Sequence, residues 1–380
     1  MRRIKYICYY PSQDPYKPRE CVEAAVTKID YIISVLNRSG IGVDIISPAI
    51  ITKKGFCLSS GGNKQNGENS LRLFPSFGCH GFAPLRGLSR KLTYLCFHRW
   101  LKKNIKEGEP IIVYHSLDYC SFFLDLRIKK NFKLIGEVEE IYQDVHPQSK
   151  HLSEDEYGFY SVCDSFIFPN TVLDEKVNSQ NKSSIVIHGL YKVQPKVANK
   201  FDDGLTHVLY AGTFDPVKGG ALAAVEAAMY LSESYHLHIT GFGSESDSKN
   251  VREKVTDITK KAKAQITFHG FISREELTVL MQRCHIGLCT QDPTKKLNLT
   301  SFPSKILNYL SNGLIVLSGR NRAIEESAVG DIVHYYEQQT PQEIANAIQA
   351  IDIQTGNTGQ DRLLQLDKTF SERINSLLQW

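Results

Sequence analysis

The stretch Ser301-Phe302-Pro303-Ser304-Lys305-Ile306-Leu307-Asn308-Tyr309-Leu310-Ser311-Asn312-Gly313-Leu314-Ile315-Val316-Leu317-Ser318 constrains this chain more than any other. Pro303 suits the first turn of a helix, where its missing N–H costs nothing, and Ser301 just before it can cap the N-terminus. Ile306, Leu307 and Leu310 repeat at helical spacing, Gly313 is placed to stop the helix in a left-handed turn, and Leu314 to Leu317 read as a short buried strand. Helix, glycine and buried strand in that order belong to an α/β chain. Free amides at such a helix start, with the Ser304 hydroxyl and the Lys305 cation, suit an anion and above all a phosphate. The alternative is water alone, the usual occupant of a helix start carrying a serine and a lysine.

A chain of 380 residues exceeds one ordinary core and points to two domains. Hydrophobic residues at 42% and charged residues at 23% are globular values, and no run approaches the roughly 20 apolar residues that span a bilayer. The start, Met1 to Tyr10, is basic like a signal peptide, but its apolar run is short and reads as a buried strand. Nine scattered cysteines with no C-x-x-C pair suit a reduced, cytoplasmic protein rather than a disulfide framework or a zinc site. A net charge of +4 is too small to argue for nucleic acid.

Along the chain, strand 4–10, helix 20–38 and strand 43–47 make a βαβ opening, and the connecting loop has no glycine, so a dinucleotide fingerprint is absent. Residues 55–70, rich in Gly, Ser and Asn, read as a long mobile surface loop. Residues 85–106 read as a basic helix in which Arg86, Arg90, Lys91, Arg99, Lys102, Lys103 and Lys106 alternate with Leu88, Leu92, Leu95, Cys96 and Trp100. Such a helix can lie on an anionic membrane, or simply be packed with a solvated basic face. Two strands end in polar clusters, His115-Ser116-Leu117-Asp118 and Glu137-Val138-Glu139-Glu140, at the carboxyl ends where open α/β sheets bind ligands. Residues 191–204 read as the linker between domains, and the alternation of strand and helix then resumes from Val208 to Tyr335. Domains are expected at 1–200 and 201–360, with a last helix at 361–380 packing back on the first.

Five segments occur in order in the second half: Gly212-Thr213 to Lys218-Gly219-Gly220, Gly241-Phe242-Gly243, Gly270-Phe271 followed by Glu276-Leu277, Cys284 to Leu288, and Phe302-Pro303-Ser304-Lys305 leading to Gly313. Together they resemble the donor half of the family 4 glycosyltransferases, well over roughly residues 207 to 335 and more loosely in the first half. The resemblance implies the GT-B fold, two facing Rossmann-like doubly wound domains with the active site in the interdomain cleft. It implies an acceptor-binding first domain, a donor-binding second domain, retention of anomeric configuration, and a nucleotide sugar, UDP-sugar first, as donor.

No Asp-x-Asp occurs in the chain, so the diphosphate left by the reaction is expected to be stabilised without a metal or cofactor, by fixed cations and amides. Gly212, Thr213, Gly219, Lys218 and Lys305 would serve it, with Thr300, Ser301, Phe302, Pro303, Ser304 and Asn308 around the helix start. By resemblance Gly270 and Phe271 would contact the base and Gly241 and Gly243 would line the cleft. His115 would hold the donor sugar, and Glu137, Glu139 or Glu140 would orient or deprotonate the acceptor hydroxyl. The sequence departs from the family at Thr300 and Asn308, where an acidic pair is common, and at Thr213, where many members have arginine. The functional expectation is a transferase of bacterial surface polysaccharide assembly, acting on a lipid-linked saccharide, with peripheral membrane contact through Arg86 to Lys106 and no nucleic acid partner. A nucleotide-sugar 2-epimerase and a non-catalytic partner subunit are the alternatives.

Overall fold

The computed structural model describes residues 2–53, 55–80, 83–145, 150–216, 220–295, 302–354 and 358–378. The chain forms two compact units: Met1–Pro169 with Leu173–Ile187 and Phe370–Trp380, and Asn170–Val172 with His188–Thr369.

The first unit is built on a sheet with strands in the order Ser183–Val186, Ser165–Phe168, Lys133–Glu137, Pro110–Tyr114, Arg2–Ile7, Ile41–Ser47, Asn69–Leu73 and Gly62–Asn66. All pair in parallel except the last, which runs antiparallel to Asn69–Leu73. Runs such as Ile111-Ile112-Val113 and Leu134-Ile135 are wholly buried, as strands covered on both faces must be. Helix Glu23–Arg38 lays Ile29, Ile32, Val35 and Leu36 into this core. The chain reverses its direction of travel across the sheet between Arg2–Ile7 and Pro110–Tyr114, so their carboxyl ends form a topological switch point.

One expectation fails here. Residues 55–70 are not a loop. They supply strands Gly55–Ser59 and Gly62–Asn66, the first paired with Ser76–His80 and the second turning tightly at Gly67, φ 56°, into Asn69–Leu73. The outer strand of this hairpin, Gly62–Asn66, is polar and exposed on both faces and carries none of the alternation by which strands are recognised. The basic helix, Ala83–Asn104, buries Ser89, Thr93, Tyr94, Phe97 and Leu101, while Leu88, Leu92 and Leu95 are exposed. Of the apolar residues that alternate with its basic ones, Cys96 and Trp100 pack on the core and the three leucines face solvent.

The second unit has a fully parallel sheet in the order Gln265–Gly270, Tyr235–Phe242, Thr206–Thr213, Ile286–Cys289, Ile315–Gly319 and Val333–Tyr336. In chain order this is 3-2-1-4-5-6, the doubly wound arrangement, with its switch point between Thr206–Thr213 and Ile286–Cys289. Val208, Tyr210, Leu237 and Ile239 face a core completed by helices Ala221–Ala227, Glu245–Thr259 and Pro341–Gln349. The segment read as an interdomain linker is bound along this unit: Gln282 Oε1 accepts from the amides of Val197 and Ala198 at 2.7 and 3.1 Å, and Phe201 N–H donates to Arg283 O at 2.9 Å. The final helix, Gly359–Leu377, begins in the second unit and ends in the first, where Phe370 stacks on Tyr31 and Asn375 bonds Ser39.

Candidate active site

The helix expected from Pro303 spans Lys305–Ser311, with Ser304 as N-cap and no side-chain capping bond. It starts later than Pro303, whose carbonyl accepts from Ile306 N–H at 3.1 Å and makes the lead-in turn. Its end follows the expected glycine stop. Gly313, φ 75°, lets Leu314 N–H reach Tyr309 O and Gly313 N–H reach Leu310 O, both at 3.1 Å, so the last carbonyls are satisfied.

Tyr309 fixes this helix on the switch point. Its ring lies where a side chain on Gly287 would be, and its hydroxyl accepts from Ala211 N–H at 2.9 Å and lies 3.1 Å from Leu288 O. One side chain thus binds both strands between which the sheet order reverses. Sequence reasoning missed Tyr309 because an aromatic at a helical core position has no distinguishing local signal.

One turn earlier on the same face is Lys305. Its Nζ lies 3.2 Å from Tyr210 Oη and 4.3 Å from the centre of that ring, a hydrogen bond and a cation–π contact together. The Tyr210 hydroxyl in turn donates to Thr213 O at 2.8 Å and accepts from Gly220 N–H at 3.2 Å. A Cβ on Gly212 would fall 2.5 Å from Lys305 Nζ. Gly212 therefore makes room for the lysine, a more specific role than letting backbone approach a phosphate. No carboxylate among the described residues pairs with Lys305, so its positive charge stays uncompensated at the carboxyl end of the central strand.

The other expected donor residues cluster around this point. Gly241 pairs with Gly212 in register at φ 156°, and a Cβ there would sit 1.7 Å from Gly212 O. Only glycine fits. Gly243 backs on Phe214, Gly270 has φ 65°, and Phe271 is 79% exposed. Thr213 Oγ1 accepts from Asp215 N–H, Asn308 is exposed and bonded by Asn312, and Phe302 is buried against His188 with ring centres 4.7 Å apart. Lys218, Gly219, Thr300 and Ser301 lie outside the described residues.

In the first unit a cavity of about 370 Å³ opens at the switch point, lined by Tyr9, Tyr114, His115, Ser116 and Glu140 among others. His115 is 2% exposed, and burial drives its imidazole down to about 3, so it is neutral at physiological pH. Its Nε2 lies 3.4 Å from both Tyr160 Oη and Glu156 Oε1. The three candidate carboxylates separate. Glu137 is fully buried and accepts from Tyr6, and burial raises its carboxyl to about 7. It does not reach the cavity. Glu139 is paired with Lys28, and Glu140 alone of the three lines the cavity. Sequence reasoning did not single out Arg90, which spans the cavity wall to bind Glu20 at 2.9 Å and Asp118 at 2.7 Å, or Tyr9, which donates to Asp118.

Residues 206–351 match the Glycosyl transferases group 1 family. Among solved structures the chain is similar to sucrose-phosphate synthase from Thermosynechococcus elongatus at TM-score 0.70 and 16% identity, over 99% of this chain and 98% of that one. It is similar to HepE of Anabaena in complex with UDP at TM-score 0.62 and 14% identity, over 100% and 99%. It is similar to a lipopolysaccharide outer core galactosyltransferase, WaaB, in its apo form, at TM-score 0.61 and 14% identity, over 100% of both. No curated protein matches the chain by sequence. The Lys305 site thus falls within a Glycosyl transferases group 1 domain, and the fold shared with these structures, GT-B, extends through the whole chain.

Proposed function

We propose that the chain is a retaining, metal-independent family 4 enzyme that moves a sugar from a UDP-sugar to a hydroxyl of a lipid-linked saccharide in bacterial surface polysaccharide assembly. The observation that carries this reading is the uncompensated Lys305 held over Gly212 by Tyr210. A departing nucleoside diphosphate gains negative charge, and a cation already fixed in place stabilises it without reorganisation. The UDP complex of HepE supports uracil as the base. Neutral His115 suits hydrogen bonding to a sugar hydroxyl rather than nucleophilic attack, and Glu140 is the carboxylate placed to orient the acceptor. The acceptor oxygen would attack from the face the diphosphate leaves, its proton passing to the departing phosphate oxygen.

Exposed Leu88, Leu92 and Leu95 lie on the helix that also carries Arg86, Lys91, Arg99, Lys102 and Lys103, the composition that settles on an anionic bilayer surface. No helix among the described residues is long and apolar enough to cross a membrane. A second reading, a non-catalytic partner subunit, is favoured by Thr213 and Asn308, neutral where the family commonly carries charge. A thermal-shift and hydrolysis screen against UDP-, GDP- and other nucleotide sugars, with and without EDTA, separates them. Stabilisation by one donor with slow, EDTA-insensitive release of its nucleotide supports the transferase. No shift with any donor supports the partner subunit.

A further inference from the structure

Five of the twelve histidines gather in the second unit: His207 and His236 near the amino ends of their strands, His285 just before Ile286–Cys289, His238 two residues beyond His236, and His269 near the end of Gln265–Gly270. His207 and His236 are register partners, five positions before the pair Gly212 and Gly241. At about 3.3 Å per residue the cluster lies about 16 Å from the Lys305 site along the same strands, too far to touch a reacting bond.

His207 Nδ1 is 2.8 Å from His238 Nε2, and one ring nitrogen from each of His207, His236 and His238 lies within 4.8 Å of the other two. The second nitrogen of each ring is held from outside. Asp203 Oδ1 lies 3.0 Å from His207 Nε2, His269 Nε2 is 3.0 Å from His238 Nδ1, and Thr267 Oγ1 is 2.8 Å from His236 Nε2. His236 stacks on His238 with ring centres 4.2 Å apart, and a carboxylate, an imidazole and a hydroxyl that each hold one imidazole of the group are partners of the kind that form the outer shell of a histidine metal site. Phe201 stacks on His207 at 3.9 Å and closes one side, while half-buried His236 leaves the other approachable.

We propose that His207, His236 and His238 bind a divalent transition metal, zinc being the expected ion, as a structural clasp across two adjacent strands. Three neutral imidazole nitrogens and one water would complete a tetrahedral set. Nitrogens bound to zinc at about 2.0–2.1 Å stand about 3.3 Å apart, so His207 and His238 would separate slightly and His236 would close in. The protons balance. With the Asp203 carboxylate accepting, the apo chain carries its protons on Nε2 of His207, His238 and His269. Loading leaves His207 unchanged and moves the proton to Nδ1 in His238 and His269, with none released. The surrounding charges are Asp203, which favours a cation, and Arg283 and Lys200, which oppose it. Arg283 lies over Phe201 at 4.0 Å and Lys200 is bonded to the carbonyl of Gly313 at 2.8 Å.

The test uses untagged full-length protein stripped with EDTA and then titrated with Co²⁺. Stoichiometric binding with the intense visible bands of four-coordinate cobalt, displaced by Zn²⁺, is expected. The bands should be lost in His236→Gln, a variant at a half-buried position whose fold is checked by circular dichroism. Asp203→Asn, which touches the metal only through His207, should bind about ten- to a hundredfold more weakly. Zn²⁺ should raise the melting temperature of the native chain and not that of His236→Gln. Absence of cobalt bands in the native chain, or bands unchanged in His236→Gln, would overturn the proposal and leave the histidines as a hydrogen-bonded chain alone.

Discussion

The two units place charge at their switch points in opposite ways. In the first, Arg90 sits between Glu20 and Asp118, and Lys28 holds Glu139, so each cation already has its anion. In the second, Lys305 meets the phenol and the ring of Tyr210 and, among the described residues, no carboxylate. Charges matched within the protein shape a wall. A charge left unmatched, at the cost of its desolvation, is complementary to something that arrives from outside.

The sharpest way to break this contrast is Lys305→Ala. Turnover should fall by about 10²- to 10³-fold while the melting temperature is nearly unchanged. A loss of folding without a specific loss of turnover would make Lys305 a packing residue. Tyr309→Phe comes next. It leaves the Ala211 amide without its acceptor and should cost about 1–3 kcal/mol in a denaturant titration, with turnover lowered because the helix that carries Lys305 is less firmly fixed on the sheet. In the first unit, Glu137 supplies a pH signature. Burial raises its folded-state pKa to about 7, above the ordinary carboxyl value of about 4.3, so its contribution is present at low pH and lost as pH rises through 7. Melting temperature should therefore decline between about pH 4.5 and 7, and Glu137→Gln, which cannot ionise, should flatten that decline and be about 1–3 kcal/mol more stable at pH 8. Arg90→Ala should cost about 1 kcal/mol of stability, since the side chain is one-third exposed, and should weaken acceptor rather than donor binding. The smallest effect on turnover in solution is expected from Leu92→Glu, which should instead reduce binding to anionic vesicles.

What the sequence disclosed follows from how local each signal was. Ile306, Leu307, Leu310 and Gly313 define a helix and its end within one turn of each other, and the parallel strands show as short apolar runs. The start of that helix was misplaced because Pro303 fits a lead-in turn as well as a first turn. Glu137, Glu139 and Glu140 stand within four residues of one another, and strand register and neighbours, invisible in the sequence, bury one, pair the second and turn the third to the cavity. The histidines escaped notice because His207, His236 and His238 come from two strands and match no ligand spacing. The hairpin at residues 62–73 escaped because its outer strand has no apolar side chain to alternate.

That outer strand, Gly62–Asn66, has a consequence for the protein in concentrated solution. A sheet edge is a row of unpaired amides and carbonyls on which another chain can add a strand. Here the edge is short, reversed in direction, exposed throughout, and made of glycine, asparagine, lysine and glutamine. A second molecule docking along it would have to strip water from the Lys64 ammonium and three amide side chains while gaining almost no apolar contact. Growth of the sheet into an aggregate is thus blocked at that margin by what the strand lacks.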